Sequence, residues 1–450
     1  MNTAPAAAGR RAPFGVIVAA AVGSALEWYD FFIYGTAAAL VLGPLFFPQA
    51  DALAATLLAF ATFGVGFVAR PFGGLFFGHF GDRYGRKPVL VATLMLVGIG
   101  TALIGVLPTY AAIGSWAPFL LVILRLVQGF GAGAEYGGAV ILLVEHAPPG
   151  SRGFWAGFAP VGVGVGNLLA AGAFAAVSLL PHDAFMAWGW RLPFLFSLVL
   201  VLFGLFVRLR VMETPVFRAA VAQHQPDRVP ALEVLRRHPR NFFVLLGARM
   251  AENGLGYLFP VFGLAYVTRT LGMPRQLALD ALMLSFMIQI ICVLGFSALS
   301  DRIGRRPVYL FGALAGMLLA FPFFWIIGTR TWWMLALGLG LTNGVVIGAL
   351  FGPQAAYFAE LFGPKRRYSG FAFARELGSI VSGGPAPFLA TAMVAAVGGG
   401  FWPVAVYIIL LCAITAFAVW SGPETYRDDI HADAAKLGGT DAAVVAGEAG

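Results

Sequence analysis

The chain has 450 residues, of which 60% are apolar and only 11% are charged. A soluble domain carries about 25% charged residues, so the excess apolar surface must face lipid, and a water-soluble protein is excluded. The formal net charge of +8 does not indicate nucleic-acid binding, because the basic residues lie in short stretches between apolar runs. Cys292 and Cys412 both lie within apolar runs, so no disulfide framework is predicted.

A bilayer span requires about 20 mostly apolar residues, and the chain contains twelve such stretches. All twelve should be helices, because lipid cannot satisfy the open edge of a sheet. The first is predicted to be a permanent span, since no small-residue cleavage site follows it. In chain order, the predicted spans are residues 14–40, 53–78, 89–108, 117–145, 154–180, 190–209, 241–267, 277–299, 307–328, 331–361, 369–394 and 401–421.

The basic residues are concentrated on one side of the predicted bilayer. With a cytoplasmic N-terminus, 21 of the 29 basic residues fall in cytoplasmic segments, and the outside loops hold only Arg191, Arg269, Arg275 and Arg330. The positive-inside rule therefore places both termini in the cytoplasm and predicts a multi-pass protein of the inner membrane. The predicted organisation is a cytoplasmic tail at 1–13, a six-helix bundle at 14–209, a cytoplasmic middle loop at 210–240, a second six-helix bundle at 241–421 and a disordered cytoplasmic tail at 422–450.

The two halves of the chain repeat each other. GHFGDRYGRKP at 78–88 matches SALSDRIGRRP at 297–307, and EHAPPGSRG at 145–153 matches ELFGPKRRYSG at 360–370. This repeat predicts an all-α membrane protein of twelve transmembrane helices in two pseudo-symmetric bundles, with one site between them. The repeated loops are expected to act in gating, with each Asp accepting hydrogen bonds from the N-terminus of a neighbouring helix. A basic loop that only sets topology is the alternative.

The predicted gating and conformational residues belong to these loops or to a glycine-rich stretch, GAGAEYGG, that permits close helix packing. They are Gly78, Asp82, Arg83, Gly85, Arg86, Lys87, Glu135, Glu145, Arg152, Asp301, Arg302, Gly304, Arg305, Glu360 and Arg367.

Charged residues inside spans cost at least about 2.5 kcal/mol each on insertion and mark functional sites by default. Glu27 and Asp30 are three residues apart in the first span, on one helical face with Tyr34. Two nearby carboxylates repel each other, which favours a proton on one of them near neutral pH, as proton coupling requires. A structural hydrogen-bonded pair that holds the first span to a neighbour is the alternative.

Arg125 and Gln128 lie at helical spacing in the fourth span and are predicted to form one donor surface. Arg125 is interpreted as a substrate or coupling residue, with the first-span carboxylates as its counter-ions, or else as part of a buried structural pair. Arg70, beside Pro71, is interpreted as structural and nearer the cytoplasmic end of its span.

Two further arginines inside spans have an acidic neighbour. Arg249 and Glu252 are three residues apart, so they either neutralise each other or the carboxylate of a substrate displaces Glu252 from Arg249. Arginine suits such a role because its planar fork of donors matches a carboxylate. Arg375 presents the same alternatives with Glu376, although adjacent residues point about 100° apart on a helix.

Several stretches together resemble a known family. GHFGDRYGRK and SALSDRIGRR resemble the repeated signature loop of the major facilitator superfamily, and ALEWYDFFIYG, RLVQGFGAGAEYGGA and RYSGFAFARELGSIVSGG narrow the resemblance to its metabolite:proton symporter family. That family includes permeases for shikimate, 2-oxoglutarate, citrate and proline/betaine. The resemblance runs from about Phe14 to about Ser421 and implies the major facilitator fold. Many relatives have an aromatic–amide pair where this chain has Arg375 and Glu376.

The sequence thus predicts a secondary active transporter that imports a small organic acid with protons by alternating access. The proton is the coupling ion and no cofactor is expected; the expected partners are a carboxylate substrate and the bilayer, without nucleic acid or an obligate protein partner. No reactive constellation indicates an enzyme. Uptake of a zwitterionic osmolyte and passive facilitation remain alternatives. The substrate and coupling candidates are Glu27, Asp30, Tyr34, Arg125, Gln128, Arg249, Glu252 and Arg375.

Overall fold

The computed structural model describes residues 14–84, 86–133, 136–145, 147–148, 150–212, 236, 239–362 and 367–428. All regular secondary structure in these residues is helical. Ten of the described helices are long and apolar enough to cross a bilayer, and a bent pair, His182–Gly189 with Arg191–Val207, makes an eleventh span. The remaining predicted span contains Arg249 and Glu252, and such charged groups reduce its mean hydropathy.

The first half of the chain forms six spans, α1 to α6. Pro71 lies inside α2, and α1 extends through a π-helical turn to Phe46. The bounds are α1 Phe14–Ala37, α2 Ala52–Tyr84, α3 Arg86–Val106, α4 Trp116–Ala132 with Tyr136–Glu145, α5 Arg152–Ala156 with Phe158–Ser178, and α6 Arg191–Met212.

The second half forms α7 to α12, and π-helical turns interrupt α7, α10 and α11. The bounds are α7 Pro239–Tyr257 with π-helical turns up to Thr270, α8 Arg275–Ile303, α9 Arg305–Gly328, α10 Trp332–Leu339 with Ile347–Glu360, α11 Arg367–Gly378 with Ala386–Ala396, and α12 Trp402–Ser421.

The repeated loops are shorter than the sequence indicates. The helices α2 and α8 continue to Tyr84 and Ile303, beyond their predicted ends at 78 and 299, so the second repeat is helical through Asp301. Gly304 alone connects α8 to α9, with a φ of 106° that a residue with a side chain rarely adopts.

Helix packing follows the predicted pseudo-symmetry. In the first half α1 packs on α5, α2 on α4 and α3 on α6; in the second half α7 packs on α11, α8 on α10 and α9 on α12. Each pair of the second half is the first-half pair shifted by six helices. The contacts between halves obey the same rule, because α2 packs on α11 and α5 packs on α8. The twelve-helix, two-bundle fold predicted from the repeat is therefore confirmed.

The outer surface of the bundles is apolar. Large side chains exposed on it include Leu318 on α9, Ile291 on α8 and Leu202 on α6, with exposed fractions of 77%, 72% and 65%. In a soluble protein such a surface would drive aggregation. Here it is the surface that lipid covers, as the composition predicts.

Close packing of α2 on α4 depends on glycine. A Cβ added to Gly129 would lie 1.9 Å from the backbone oxygen of Gly66, and one added to Gly133 would lie 1.9 Å from the backbone oxygen of Arg70. Small residues let membrane helices approach in this way. These glycines hold the two helices together at the depth where each carries a buried arginine, Arg70 on α2 and Arg125 on α4.

The start of the C-terminal tail is ordered. Thr425 is buried, and the Glu424 carboxylate accepts hydrogen bonds from the backbone N–H groups of Arg305 and Arg306 at 2.8 and 3.1 Å. The disorder predicted for 422–450 is therefore wrong for residues 422–428. Residues 429–450, the tail at 1–13 and the middle-loop residues 213–235, 237 and 238 lie outside the described residues, so these domain assignments stay predictions.

Gly129→Ala should destabilise the protein, because the new methyl group meets backbone atoms that cannot rotate away. Overpacking of this kind costs about 1–3 kcal/mol, so the midpoint of thermal unfolding in detergent should fall by several degrees. Gly295→Ala is the matched control, since a Cβ at that position of α8 has no heavy atom within 4 Å. Equal midpoints for the two variants would contradict the packing described here.

Candidate functional site

Apart from the cluster at the repeated loops, eight charged side chains of the described residues are buried inside the spans, and each is at most 5% exposed. They belong to five helices from both halves, so the site is formed jointly by the two bundles. They are Glu27, Asp30, Arg70, Arg125, Arg249, Glu252, Arg375 and Glu376.

A chain of ion pairs crosses from one bundle to the other. Arg70 on α2 contacts Glu27 on α1, with Nη2 2.6 Å from Oε1, and Glu376 on α11, with Nε 2.8 Å from Oε2. Arg375 donates to the other oxygen of Glu376, and its guanidinium lies 4.0 Å from the ring centre of Tyr136 on α4. These contacts fit the interpretation of Arg70 as a structural residue, and they place it in an ion pair that joins the two halves.

A second ion pair lies wholly in the second bundle. The Arg249 guanidinium donates to the Glu252 carboxylate through Nη1, and to Asn253 Oδ1 at 3.0 Å through Nη2. Gln354 on α10 donates to the same Glu252 oxygen. The two residues pair in this structure, and displacement of Glu252 by a substrate carboxylate stays a prediction. The other Glu252 oxygen and Arg249 Nε have no hydrogen-bond partner among the described residues.

Arg125 is the arginine of this site without a carboxylate partner in the described part of the chain. Its guanidinium donates to Gln128 Oε1 and, at 3.0 Å, to the backbone oxygen of Phe63. It lies 4.0 Å from the ring centre of Tyr34, and its Nε has no described hydrogen-bond partner. Arg125 and Gln128 lie together as their spacing predicts, but Gln128 accepts from Arg125 and donates to Asp30 and Thr101, so their role as one donor surface stays a prediction. The first-span carboxylates are not its counter-ions, since Glu27 binds Arg70.

Asp30 is the carboxyl group of this site without a cationic partner among the described residues. Ser197 on α6 donates to Asp30 Oδ1 at 2.5 Å. Gln128 Nε2 donates at 3.1 Å to the backbone oxygen of Asp30 and at 2.8 Å to the hydroxyl of Thr101. Gln128 therefore lies between Arg125 and Asp30 and bonds to both residues.

Aromatic rings from both bundles pack around these charged side chains. Trp28 on α1 stacks on Tyr257 on α7 at 5.7 Å between ring centres, and Tyr257 also contacts Phe63 on α2 at 5.3 Å. The Tyr257 hydroxyl and Trp28 Nε1 are buried without a described hydrogen-bond partner. Tyr34 shares a hydrogen bond of 2.6 Å with Thr62. The site thus combines apolar walls with a few unpartnered polar atoms, as small-molecule sites do.

A separate ion cluster joins the halves at the end that carries the repeated loops. Asp301 accepts hydrogen bonds from the backbone N–H groups of Gly153 and Phe154, at 2.7 and 2.8 Å, and so caps the N-terminus of α5. Arg305 bridges Asp301 at 2.8 Å and Glu360 at 3.0 Å, and Arg152 lies 3.4 Å from Glu360. The capping role predicted for Asp301 is confirmed, across the interface between the bundles.

The other predicted gating residues divide into two groups. Arg302 is exposed and Glu145 is half-buried at the end of α4. For the rest, the side chain lies outside the described residues, so their roles stay predictions; they are Gly78, Asp82, Arg83, Gly85, Arg86, Lys87, Glu135 and Arg367.

The opposite end of the bundles is closed as well. Arg269 on α7 donates to the backbone oxygen of Ala39 on α1 at 3.0 Å. Arg275 on α8 donates to the backbone oxygens of Ser178 and Leu180, both at 3.2 Å. The halves therefore touch at both ends, and the eight charged side chains of the site are at most 5% exposed.

Sequence reasoning did not identify three residues that shape the site. Glu376 was treated only as a neighbour of Arg375, whereas it binds the arginine of the other bundle. Ser197 and Gln354, which bind Asp30 and Glu252, were not singled out. Gln354 is a residue type that is unusual inside a span and could have been noticed, whereas Ser197 is not.

Comparisons with known proteins agree with this architecture. The family model for Sugar (and other) transporter matches residues 16–237, and the model for Major Facilitator Superfamily matches residues 242–443. The Shikimate transporter of Escherichia coli (strain K12) is 43% identical over 413 residues, 90% of this chain and 93% of that protein. The Proline/betaine transporter of the same organism is 37% identical over 380 residues, 82% of this chain and 75% of that protein.

A crystal structure of a D-xylose-proton symporter has the same fold. It superposes with a TM-score of 0.70 at 20% sequence identity, over 92% of this chain and 99% of that chain. The family models and the relatives define a multi-pass membrane transporter and not an enzyme. The chain belongs to the major facilitator superfamily, in its metabolite:proton symporter family.

Arg70→Met should destabilise the protein strongly, because Glu27 would then be buried without a cation. Removing one partner of a buried ion pair costs about 3–5 kcal/mol. The double variant Glu27→Gln/Arg70→Met should recover much of the lost stability, since Glu27 is then uncharged and Glu376 still pairs with Arg375. Thermal unfolding of the three proteins in one detergent gives the comparison; a double variant as unstable as the single would refute the ion chain.

Asp301→Asn should weaken closure at the loop end, because the amide loses one acceptor oxygen and the ion pair with Arg305. Hydrogen bonds to charged groups are worth about 1.5–3 kcal/mol each. We expect a lower thermal midpoint together with slower substrate uptake in proteoliposomes. The matched control is Asp183→Asn, at an exposed position in the short helix His182–Ala184; unchanged uptake in Asp301→Asn would argue against a role in closure.

Proposed function

We propose that this protein imports a small organic acid together with a proton across the inner membrane by alternating access, with both termini in the cytoplasm. The observation that supports this most directly is the pair of unmatched groups in one site. Arg125 is a buried cation without a described carboxylate partner, and Asp30 is a buried carboxyl group without a described cation. An anion and a proton are the ligands that these two groups lack.

Arg125 is the proposed binding group for the substrate carboxylate. A guanidinium matches a carboxylate with two parallel donors, and burial strengthens the attraction because the local dielectric is low. The rings of Tyr34 and Phe31 lie 4.0 and 5.0 Å from the guanidinium carbon. They hold the guanidinium plane in place and present an apolar surface to the rest of the substrate.

Asp30 is the proposed proton carrier. An ionised carboxylate is costly to bury without a cation, so the protonated form is favoured while the site is closed. Contact with water after the bundles rock open would allow the proton to leave. Glu27 is a poorer candidate because Arg70 stabilises its ionised form. The coupling ion is thus a proton, and the transport needs no cofactor.

Two alternatives keep some support. The stacked Trp28 and Tyr257 rings and the unpartnered Glu252 oxygen could receive a cationic group, and the similarity to a proline/betaine transporter extends over 82% of the chain. A zwitterionic osmolyte would use that surface together with Arg125. A passive facilitator would use the same site without Asp30.

Uptake of labelled compounds into proteoliposomes with an inward proton gradient tests the proposal. The panel contains shikimate, 2-oxoglutarate, citrate, simple monocarboxylates and betaine. We expect one acid to accumulate and a protonophore to abolish its accumulation. Betaine as the only accumulated compound would indicate the zwitterion alternative, and equilibration without accumulation would indicate a facilitator.

Two variants separate the roles of the unmatched groups. Asp30→Asn imitates the protonated carboxyl group, so accumulation should be lost while exchange of internal for external substrate persists. Arg125→Gln should lose both activities because the anion is no longer held. Asp280→Asn on α8 and Arg330→Gln after α9 are the matched controls outside the site. Full accumulation by Asp30→Asn would exclude Asp30 as the proton carrier.

A further inference from the structure

All but two of the eight charged side chains of the site form ion pairs with one another. Among the described side chains, Arg70 pairs with Glu27, Arg249 with Glu252 and Arg375 with Glu376. Arg125 and Asp30 remain, and each binds only uncharged groups. The site therefore offers one uncompensated positive charge when Asp30 carries a proton.

We infer that the substrate is a monoanion and that each transport step moves one monoanion with one proton, so that no net charge crosses the membrane. This inference rests on the proposed function and adds the charge of the substrate and the electrical character of transport. Loading adds one positive charge at Asp30 and one negative charge at Arg125. The charge of the loaded protein is then equal to that of the empty protein.

The matched pairs argue against a dianion. A second carboxylate would have to displace Glu27, Glu252 or Glu376 from an arginine, and these side chains are at most 5% exposed. A displaced carboxylate would stay buried without a cation, which costs more than the new pair gains. A zwitterion is also disfavoured, since its cationic group would leave the site with an unmatched positive charge once Asp30 is protonated.

No other charged side chain of the described residues contacts the Asp30 carboxyl group. Residues 158–178 of α5, the helix packed most closely on α1, contain no titratable side chain. Arg191 on α6 donates instead to the backbone oxygens of Gly105 and Leu107, both at 2.8 Å. The side chains around Asp30 are Tyr29 beside it on α1, Thr101 on α3, Gln128 on α4 and Ser197 on α6. A single proton on Asp30 is thus the one change of charge that accompanies binding of the anion.

The test uses the full chain in proteoliposomes with a fixed inward gradient of one pH unit. The membrane potential is set with potassium and valinomycin to zero, inside-negative or inside-positive. Shikimate serves as the monocarboxylate, 2-oxoglutarate as the dicarboxylate, citrate as the tricarboxylate and betaine as the zwitterion. We expect the monocarboxylate to accumulate about tenfold, the ratio of the proton concentrations, and to the same extent at all three potentials.

Three results would overturn the inference. One is monocarboxylate accumulation that rises at inside-negative potential, because more protons than negative charges would then enter. Another is preferential accumulation of the dicarboxylate or tricarboxylate, and the third is preferential accumulation of betaine. The proposed function fails differently, through the absence of gradient-driven accumulation of any acid at any potential. Asp280→Asn, outside the site, should behave as the unaltered chain does.

Discussion

The cost of burying charge between helices is the constraint on which the rest of this structure depends. Four arginines and four carboxyl groups of the site, among the described residues, are at most 5% exposed. An isolated charge there would cost several kcal/mol even after relaxation, so nearly every group must be matched. Three matched pairs meet this requirement, and the function proposed for the protein depends on the two groups that do not.

The same constraint ties the site to the arrangement of the bundles. Arg70 belongs to the first bundle and Glu376 to the second, so moving the halves apart at this depth breaks an ion pair. Asp301 and Arg152 make further contacts across the interface at the loop end. The proposed rocking would therefore exchange these contacts for others, or for water, at each step. A closed site with matched charges is the state in which the least charge is left unpaired.

Hydropathy and the internal repeat predicted the twelve spans and their division into two pseudo-symmetric bundles, because both depend on properties that the linear sequence records. The site could be predicted only in part. Residues three apart on a helix differ by about 60° around its axis. In a crowded interface this difference is enough for Glu27 to contact Arg70 on α2 while Asp30 contacts Ser197 on α6. Which arginine meets which carboxylate depends on helices far apart in the chain, as Arg70 and Glu376 show.

Gln128 explains why the two unmatched groups stay unmatched. A direct ion pair between Arg125 and Asp30 would be stable by itself, and neither a proton nor an anion would then improve it. Gln128 accepts a hydrogen bond from the Arg125 guanidinium and donates one to the backbone oxygen of Asp30. It therefore bonds to the cation without supplying a negative charge. A neutral spacer of this kind keeps both groups available, and a protein that couples two ligands requires two groups that do not satisfy each other.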